Sequence, residues 1–331
     1  MPSYFKTISV LCIILLWVSN LQAETLTLSK KFVTDNMNRA TLDLTFELDA
    51  HLKKPHTISS GGDDGDVHMA GRSDQVRLPM VAEIVNAGLE TDSVKLMNET
   101  QQGNTLNMSG VWRIWFEHPS TGDQTQGDDV EAPSTSNPDH VFEIHPITKF
   151  GTQDIALSSL VDIIDQKKKC SYHAYPASKA FAVYERQEAT IGVSGTAVSI
   201  TAKKVGYNYA EFLLEPVGKY KVGDDGLFVL ANVYDTSDEE TPVTEAPRRM
   251  VFVSGTDPAK ALDDLQNQGG GKLHVLGIPR VNLAEVAAVS GDSVDMALPY
   301  EMIVVAVLND NEPDFCPTEK KRGGRSAADD Q

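Results

Sequence analysis

Alternation of apolar and polar residues within short segments constrains the fold of this chain more than any other feature. In residues 40–50, ATLDLTFELDA, apolar side chains fall at every second position: Leu42, Leu44, Phe46 and Leu48. A period of two puts these side chains on one face of a β-strand and the Thr and acidic residues on the other. The segment therefore predicts a strand with one face in a core and one face in water.

Segments of this kind recur along the chain, each short, rich in β-branched or aromatic residues, and bounded by Gly, Pro, Asn or Asp. Three more lie in the first half, at residues 78–87, 110–118 and 140–148. Others lie in the second half, at residues 196–205, 208–216, 226–234, 248–255, 271–279 and 300–308. The chain is therefore predicted to be mainly β.

A single helix is predicted among the strands of the second half. Asp257 caps it, Pro258 occupies its first turn, and Gly269–Gly271 end it. Five or six short strands with one helix late among them indicate a small Greek-key barrel of the OB type. We expect two such barrels in tandem, with one helix in the second. The apolar stripe of that helix is predicted to be Ala261, Leu262 and Leu265.

The amino-terminal residues are typical of a secretory signal peptide. Lys6 precedes an apolar run, Ile8–Val18, and Ala23 offers a small residue for cleavage. The run is about half the roughly 20 residues that a membrane span needs, and no later stretch is apolar enough to span. We expect an exported protein, periplasmic or secreted, with no transmembrane segment in the mature chain.

The remaining boundaries follow from changes in composition. A polar stretch at residues 119–139 is predicted to be a long solvated loop, and the last residues have too little apolar content to order themselves. The predicted parts are a signal peptide at 1–23, a first barrel at 24–158, a linker at 159–185, a second barrel at 186–308 and a disordered tail at 309–331.

Charge narrows the class of partner. The chain carries 29 Lys and Arg against 47 Asp and Glu, a net charge of −18. Removal of residues 1–23 takes away one Lys and no acid, which leaves a net charge of −19. A field of this sign repels phosphate backbones, so nucleic acid is not an expected partner.

Two cysteines, Cys170 and Cys316, remain after the signal peptide. An even number suits an oxidising compartment, and a disulfide between them would tie the start of the second half to the tail. The sequence leaves the disulfide open, because it cannot place two sulfur atoms within bonding range.

Four segments of the first half resemble a group of uncharacterised bacterial exported proteins. The segments are DGDVH at 64–68, MVAEI at 80–84, GVW at 110–112 and NPDHVFEIHPI at 137–147. The group shares a DGDxH turn, a VxEI-like strand and an NxxExHP strand end on an OB-like β-domain. The resemblance covers about residues 55–150 and implies a fold and a set of polar positions, without a reaction. This chain differs by its long insertion before Asn137.

Those polar positions are the candidate metal ligands. Glu143 and His145 are two residues apart, so they project from one face of a strand, and Asp66 and His68 follow the glycine-rich turn. Carboxylates and imidazoles can share one divalent ion if the barrel brings them together. A cluster of hydrogen bonds that fixes a barrel corner is the competing interpretation.

Two neighbouring groups are weaker metal candidates. Glu117 and His118 are adjacent, so they cannot both face inward on a regular strand. Asp63, Asp64 and Asp66 lack an acid at the twelfth position of a calcium loop, so a tight turn with solvated carboxylates is favoured.

Aromatic residues supply the candidate ligand contacts. Trp112, Ile114 and Phe116 fit a core stripe, which leaves Trp115, with Arg113, for the outer face of the barrel, where an indole can stack a sugar or a base. A second patch is predicted from Tyr207 and Tyr209 on one strand face, and Arg280 is predicted to be exposed.

Three functions from different classes remain open. The first is an exported, non-catalytic binding or accessory protein for an extended polymer, a peptide or a partner protein. The second is a metal-dependent hydrolase, for example of a phosphodiester, that uses Asp66, His68, Glu143 and His145. The third is a structural component of the envelope in which these polar residues serve folding. The sequence has no phosphate-binding loop, zinc-protease helix or nucleophile elbow, which favours the first. No cofactor is expected except, for the hydrolase, a divalent metal ion.

Overall fold

The structure is a computed structural model that describes residues 23–55, 65–119, 122–155, 165–166, 169–170 and 174–308. Residues 1–22, 56–64 and 309–331, which include most of the predicted signal peptide, much of the predicted glycine-rich turn and the predicted disordered tail, lie outside these residues. The predictions made for those segments stay predictions.

Twenty strands and five helices make up the described chain. In the first half they are β1 Glu24–Ser29, α1 Lys30–Asn36, β2 Thr41–His51, β3 Val67–Arg72, β4 Met80–Ile84, α2 Thr91–Glu99, β5 Thr105–His118, β6 Gln124–Thr125, β7 His140–Phe150 and β8 Gln153–Asp154. In the middle they are β9 Asp165–Gln166, β10 Lys169–Cys170, β11 Ala174–Pro176, α3 Ala177–Tyr184, β12 Glu188–Ser194 and β13 Ala197–Ala202. The rest are β14 Tyr209–Val222, β15 Gly226–Asp235, β16 Asp238–Pro242, β17 Arg248–Val253, α4 Asp257–Asn267, β18 Leu273–Val281, α5 Leu283–Ala288, β19 Val294–Ala297 and β20 Tyr300–Val307.

The first half contains a closed barrel of five strands. Its order is β4-β3-β2-β5-β7, and β7 closes the ring by pairing in parallel with β4. Helix α2 lies in the chain between the third and fourth strands of the barrel. This topology is the OB-type Greek key. It consists of a meander of three strands, then a helix, then two more strands, of which the fifth pairs in parallel with the third. The alternating side chains of β2 are buried as predicted, from Leu42 at 9% exposure to Phe46 at 0%.

The second half contains a barrel of the same topology. Its order is β14-β18-β20-β17-β15, and β14 closes the ring by pairing with β15. Strands β17 and β20 are the parallel pair, and α4 lies between the third and fourth strands. The prediction of a mainly β protein with two tandem OB-like barrels is therefore confirmed.

The helices differ in detail from the predictions. Thr256, rather than Asp257, is the N-cap residue of α4, and Asp257 lies in the first turn, where a carboxylate favours the helix dipole. The predicted stripe is corrected as well, because the residues of α4 that are buried are Pro258, Ala259 and Leu262. The first barrel has a helix of its own, α2, and α5 adds a short helix to the second half.

A third sheet, in the order β19-β12-β13-β1-β6, was not predicted. It joins β1 and β6 from the first half to strands from the second half, with Glu24 opposite Ala202. Strand β6 lies inside the stretch predicted as a solvated loop, so part of that loop belongs to a sheet. Residues 174–184 of the predicted linker form β11 and α3, and α3 buries Phe181 and Tyr184.

The two barrels pack against each other through equivalent strands. Arg113 on β5 lies opposite Glu143 on β7, and Arg280 on β18 lies opposite Glu301 on β20. In each barrel these are the fourth and fifth strands. Gly110 and Gly277 stand three residues before the two arginines, in the segments GVWR and GIPR.

The contacts between the two arginine strands are reciprocal. Arg113 Nε donates to the carbonyl of Pro279 at 3.0 Å, and Arg280 Nη1 donates to the carbonyl of Trp112 at 3.1 Å. Each arginine therefore bonds the residue that precedes the other arginine, as expected for two copies related by a local two-fold axis. Val111 and Ile278, equivalent in this comparison, are buried in one apolar cluster between the barrels.

The helices of the described residues include no apolar segment of membrane-spanning length.

Candidate metal centre between the barrels

The predicted metal ligands lie on or directly before two strands of the first barrel, β3 and β7, and β4, which pairs with both strands, adds Glu83. His68 on β3 is directly opposite Glu83 on β4, and Glu143 on β7 is level with Val81 on β4. His145 follows two residues after Glu143, so it projects from the same face. This face of the barrel wall meets the second barrel, since His145 Nε2 is 2.7 Å from the hydroxyl of Tyr209 on β14.

Glu83 is at the centre of the cluster. Its Oε1 is 3.5 Å from His68 Nε2, and its Oε2 is 3.0 Å from His145 Nδ1. His68 Nε2 is also 2.7 Å from Asp66 Oδ2, and His145 Nδ1 is 3.5 Å from Glu143 Oε2. The two imidazoles thus approach opposite oxygens of one carboxylate, with a further carboxylate at each end.

All five side chains of the cluster are largely buried. His145 is 0% exposed, Glu143 1%, Asp66 2% and Glu83 7%. His68 is the most accessible, with 14% of its side chain exposed. Burial of this many ionisable groups requires opposite charge close by, which either protons on the imidazoles or a cation can supply.

The surrounding residues orient the candidate ligands. Arg113 Nη1 donates to Glu143 Oε2 at 2.6 Å, and His140 Nε2 is 3.0 Å from Glu143 Oε1. Burial alone raises the pKa of Glu143, but the charge of Arg113 and the hydrogen bond from His140 hold it well below its ordinary value. Glu143 is therefore a carboxylate at neutral pH.

The geometry of His145 differs from that of an ordinary ion pair. Its Nδ1 makes no hydrogen bond of acceptable angle within the described residues, although Glu83 Oε2 is 3.0 Å away. His145 Nε2 and the Tyr209 hydroxyl are 2.7 Å apart, and the tautomer decides which of them donates. With the proton on Nε2, the Nδ1 lone pair is available to an ion held between it and the carboxylates, whereas a proton on Nδ1 points at the carboxylates themselves. An imidazole in the first of these states, held through its other nitrogen, is the usual form of a metal-ligating histidine.

The spacing of the donor atoms is compatible with a metal ion. One atom from each of Asp66, His68 and Glu83 lies within 4.8 Å of the others, and the same holds for Glu83, Glu143 and His145. Metal–ligand bonds of about 2.0–2.2 Å place neighbouring ligand atoms roughly 3.0–3.6 Å apart, which is close to the distances in the cluster.

The second barrel provides an internal comparison. In the second barrel Phe228 is paired with Val251, and Val251 is paired with Ile303. These three apolar residues occupy the positions of His68, Glu83 and His145, respectively, in the first barrel. By the same register Gly226 is equivalent to Asp66. The Arg–Glu pair is thus common to both barrels and serves their packing. The other four polar residues are particular to the first barrel, where packing alone does not require them.

The structure brings the four predicted ligands, Asp66, His68, Glu143 and His145, into one cluster, joined through a residue that the sequence analysis did not single out. Glu83 lies within MVAEI, a strand that is otherwise apolar and wholly buried. An acid in such a strand is the signal that could have identified it, because a buried carboxylate needs a partner. Metal binding itself stays a prediction.

The predicted exposure of the first aromatic patch is wrong. Trp115 and Arg113 are both 0% exposed, because the outer face of β5 is covered by the second barrel and by α3. The Trp115 ring meets the Tyr184 ring edge-on, with centroids 5.6 Å apart, so it offers no open surface to a sugar or a base. Arg280 is likewise buried, over the ring of Trp112 at 3.6 Å.

The two tyrosines of the second predicted aromatic patch, Tyr207 and Tyr209, lie apart in different surroundings. Tyr209 begins β14 and is buried against His145, whereas Tyr207 precedes the strand with a φ of 70°. The two rings therefore do not share a strand face, and Tyr207 packs against Tyr175 with centroids 4.1 Å apart.

The weaker candidates have structural partners or lie outside the described residues. Glu117 Oε2 accepts from Arg113 Nη2 at 3.1 Å, and His118 stacks on His140 with centroids 5.3 Å apart. Burial lowers the pKa of His118, which favours its neutral form. Asp63, Asp64 and Cys316 lie outside the described residues, so the calcium loop and the Cys170–Cys316 disulfide stay untested.

No family model, no curated protein and no solved structure matches this chain.

Proposed function

We propose that this chain is an exported, non-catalytic accessory protein that binds a divalent metal ion at Glu83, whose carboxylate forms one triad of donor atoms with Asp66 and His68 and a second with Glu143 and His145. The observation that carries the proposal is the approach of two imidazole nitrogens to opposite oxygens of the Glu83 carboxylate, at 3.5 and 3.0 Å. Their replacement by Phe228, Val251 and Ile303 in the second barrel supports a role beyond packing.

The donor set indicates which metals fit. Imidazole nitrogen together with carboxylate oxygen suits Zn²⁺, Mn²⁺, Fe²⁺, Co²⁺ or Ni²⁺, whereas Ca²⁺ and Mg²⁺ prefer oxygen ligands alone. Because His145 bonds Tyr209 of the second barrel, an ion at this position would also hold the barrels together. We therefore assign the metal a structural role in the exported protein, periplasmic or secreted.

Burial supports a non-catalytic role. A catalytic metal keeps a coordination position open to substrate, and the ligands here are covered by the second barrel. The hydrolase, as the second candidate, is favoured by one observation, the 14% exposure of the His68 side chain. The third candidate function is a structural component of the envelope. In that case no metal ion is bound, and protons on the imidazoles balance the charge of the carboxylates.

The experiment measures metal content and thermal unfolding of the purified mature protein, with and without a chelator. We expect bound metal and a lower Tm after chelation, since a ligand at 100 times its Kd adds about 2.7 kcal/mol to stability. Glu83→Gln and His145→Ala should abolish the chelator effect. His274→Ala is the matched control, because His274 pairs with Glu211 on the surface at 2.7 Å and should leave metal content unchanged.

Two outcomes would overturn the proposal. Absence of bound metal, with no chelator effect on Tm, would leave the envelope component as the better explanation. Metal-dependent hydrolysis of bis(p-nitrophenyl) phosphate, lost in Glu83→Gln, would replace the non-catalytic role by the hydrolase.

A further inference from the structure

A pair of cavities lies at the edge of the first barrel, away from the metal cluster. The β5–β7 connection folds back over the β3–β4 turn and is fastened there by Gln126 and Gly127. Gln126 Nε2 donates to the Val76 carbonyl at 3.0 Å, and Gly127 N donates to the Arg77 carbonyl at 3.0 Å. The Arg77 guanidinium donates in return to the Gly127 carbonyl. This part of the connection is thus a fixed strap.

The strap separates the two cavities, which share Asp128, Asp129 and Val130 as a common wall. The smaller has a volume of about 290 Å³ and the larger about 560 Å³. Together they reach the size of ordinary ligand sites, which are roughly 300–1,000 Å³.

Gln124 is an unsatisfied polar group in the smaller cavity. Its side chain lines the cavity and is 6% exposed, yet neither Nε2 nor Oε1 has a hydrogen-bond partner within the described residues. A buried amide without partners destabilises the folded protein, because it has lost its hydrogen bonds to water. A main-chain peptide group offers one acceptor and one donor, which together would satisfy a carboxamide.

The backbone at Gln124 also favours an extended ligand. Strand β6 ends the third sheet, and among the described strands β1 is its one neighbour. A free strand edge can pair with an extended peptide through main-chain hydrogen bonds.

The walls of the cavities combine apolar and acidic groups. Pro79, Met80, Pro133 and Pro138 form the apolar part of the smaller cavity. Asp128, Asp129 and Glu131 form no ion pair with Lys or Arg anywhere in the described residues.

The two cationic side chains of the larger cavity, Arg72 and Arg77, already have hydrogen-bond partners within the protein. Arg72 is bound by Asp49 at 2.8 Å and by Glu47 at 2.5 Å, and Arg77 bonds the strap. The Gly127 carbonyl does not neutralise Arg77, but Asp74, Asp128, Asp129 and Glu131 outnumber this one cation. The net charge that faces the cavities is therefore negative, which complements a positively charged ligand.

We propose that the two cavities together form a groove that binds an extended basic peptide. An apolar side chain enters the smaller cavity, the adjoining main-chain amide bonds Gln124, and a Lys or Arg side chain lies against Asp128 and Asp129. The inference names a ligand class for the accessory protein but does not depend on the metal cluster, so either proposal can fail alone.

The test uses a fluorescent hexapeptide of alternating Lys and Leu, with fluorescence anisotropy on the full mature protein. Gln124→Leu should weaken binding about tenfold, the equivalent of roughly 1.4 kcal/mol. Its Tm should be unchanged or higher, because the amide makes no bond within the described protein. The double variant Asp128→Asn, Asp129→Asn should weaken binding by a similar factor.

The controls separate the groove from general attraction to an acidic protein. Asp154→Asn with Asp264→Asn removes the same charge from exposed positions outside both cavities and should leave binding within about twofold. Equal loss in both double variants would overturn the proposal. It would also be overturned by equal binding of an alternating Glu and Leu peptide, or by unchanged binding in Gln124→Leu.

Discussion

At the scale of single residues, the two equivalent arginines show how neighbours set the state of a buried charge. Both are 0% exposed. Burial acts to lower the pKa of Arg113, but Glu143 and Glu117 outweigh it and the pKa is raised. Burial prevails at Arg280, whose pKa is lowered, because Glu301 is shared with the nearby cation of Arg249. Arg280 gains carbonyl acceptors from the first barrel instead, at Arg39, Ala40 and Trp112.

Asp235 gives the clearest pH-dependent prediction. Burial alone raises its pKa, but hydrogen bonds from Ser178 and Ser237 lower it to about 2. A carboxyl whose pKa is depressed on folding stabilises the protein above its unfolded pKa, near 4, and this contribution is lost as the pH falls toward 2.

We therefore expect Asp235→Asn to destabilise the protein by about 1 kcal/mol at pH 6, since the carboxylate receives an amide near the start of α3. At pH 2 the difference from the unsubstituted protein should nearly vanish. Urea unfolding at the two pH values measures it. The same difference at both values would contradict the assignment.

At the scale of secondary-structure elements, the fourth strand of each barrel carries a glycine where the ladder is irregular. The register of β5 shifts next to Gly110, and the register of β18 shifts next to Gly277. A Cβ on Gly110 would lie 2.7 Å from the Pro146 carbonyl oxygen and 2.9 Å from the Ile147 Cα. A Cβ on Gly277 would first meet the Phe212 ring, at 2.8 Å.

We predict that Gly110→Ala costs about 2–3 kcal/mol and Gly277→Ala about 1–2 kcal/mol. The Gly110 Cβ would lie 2.7 and 2.9 Å from two backbone atoms, whereas the Gly277 Cβ would lie 3.1 Å from one, the Ile303 carbonyl oxygen, beside the buried Phe212 ring. Gly88→Ala is the control, since nothing lies within 4 Å of its Cβ position. Thermal unfolding of the three variants compares them. A larger loss at Gly277 than at Gly110 would show that this ranking is wrong.

The elements also show what a sequence can reveal. Strands were predicted because their signal is local: β2 alternates over its own length. Helix α2 was missed because it buries little beyond Ser93 and Met97, and α5 because it has six residues. The third sheet could not be predicted, since no local pattern specifies that Glu24 lies opposite Ala202.

The candidate site was predictable to a similar extent. Same-face spacing indicated Glu143 and His145, and the glycine-rich turn indicated Asp66 and His68. Burial of Trp115 depends on the second barrel, which covers the outer face of β5. Periodicity within one strand distinguishes its two faces but does not tell whether another domain covers the second.

At the scale of the whole molecule, the barrels bury against each other the faces on which OB folds commonly bind ligands. Ligands of OB folds lie on the second and third strands and adjoining loops. Here Val85, which follows the third strand of the first barrel, shares an apolar cluster with Phe228 and Val251 from the second and third strands of the other.

The reciprocal arginine contacts predict that the barrels unfold together. Arg113→Met or Arg280→Met should each cost about 3–5 kcal/mol, because a buried carboxylate loses a partner. The double variant should cost clearly less than the sum, since both changes weaken one interface.

Denaturant unfolding of the unsubstituted protein, the two single variants and the double variant gives the four free energies of a double-mutant cycle. Arg186→Met is the control, because Arg186 bonds the Ala182 carbonyl on the surface, and it should fall within about 0.5 kcal/mol of the unsubstituted protein. Strict additivity, or two separate transitions, would show that the barrels are independent units.

The pairing of β1 with β13 also limits when the third sheet can form during synthesis. From Glu24 to its partner Ala202 the chain runs 178 residues, the difference of their numbers. At about 5–20 residues per second of synthesis, β1 waits roughly 10–35 seconds for its neighbour to emerge. During that interval the one described neighbour of β1 that has emerged is the two-residue β6, so Leu26 and Leu28 lack the antiparallel pairing with β13. The third sheet is therefore completed only after both halves of the chain have been made.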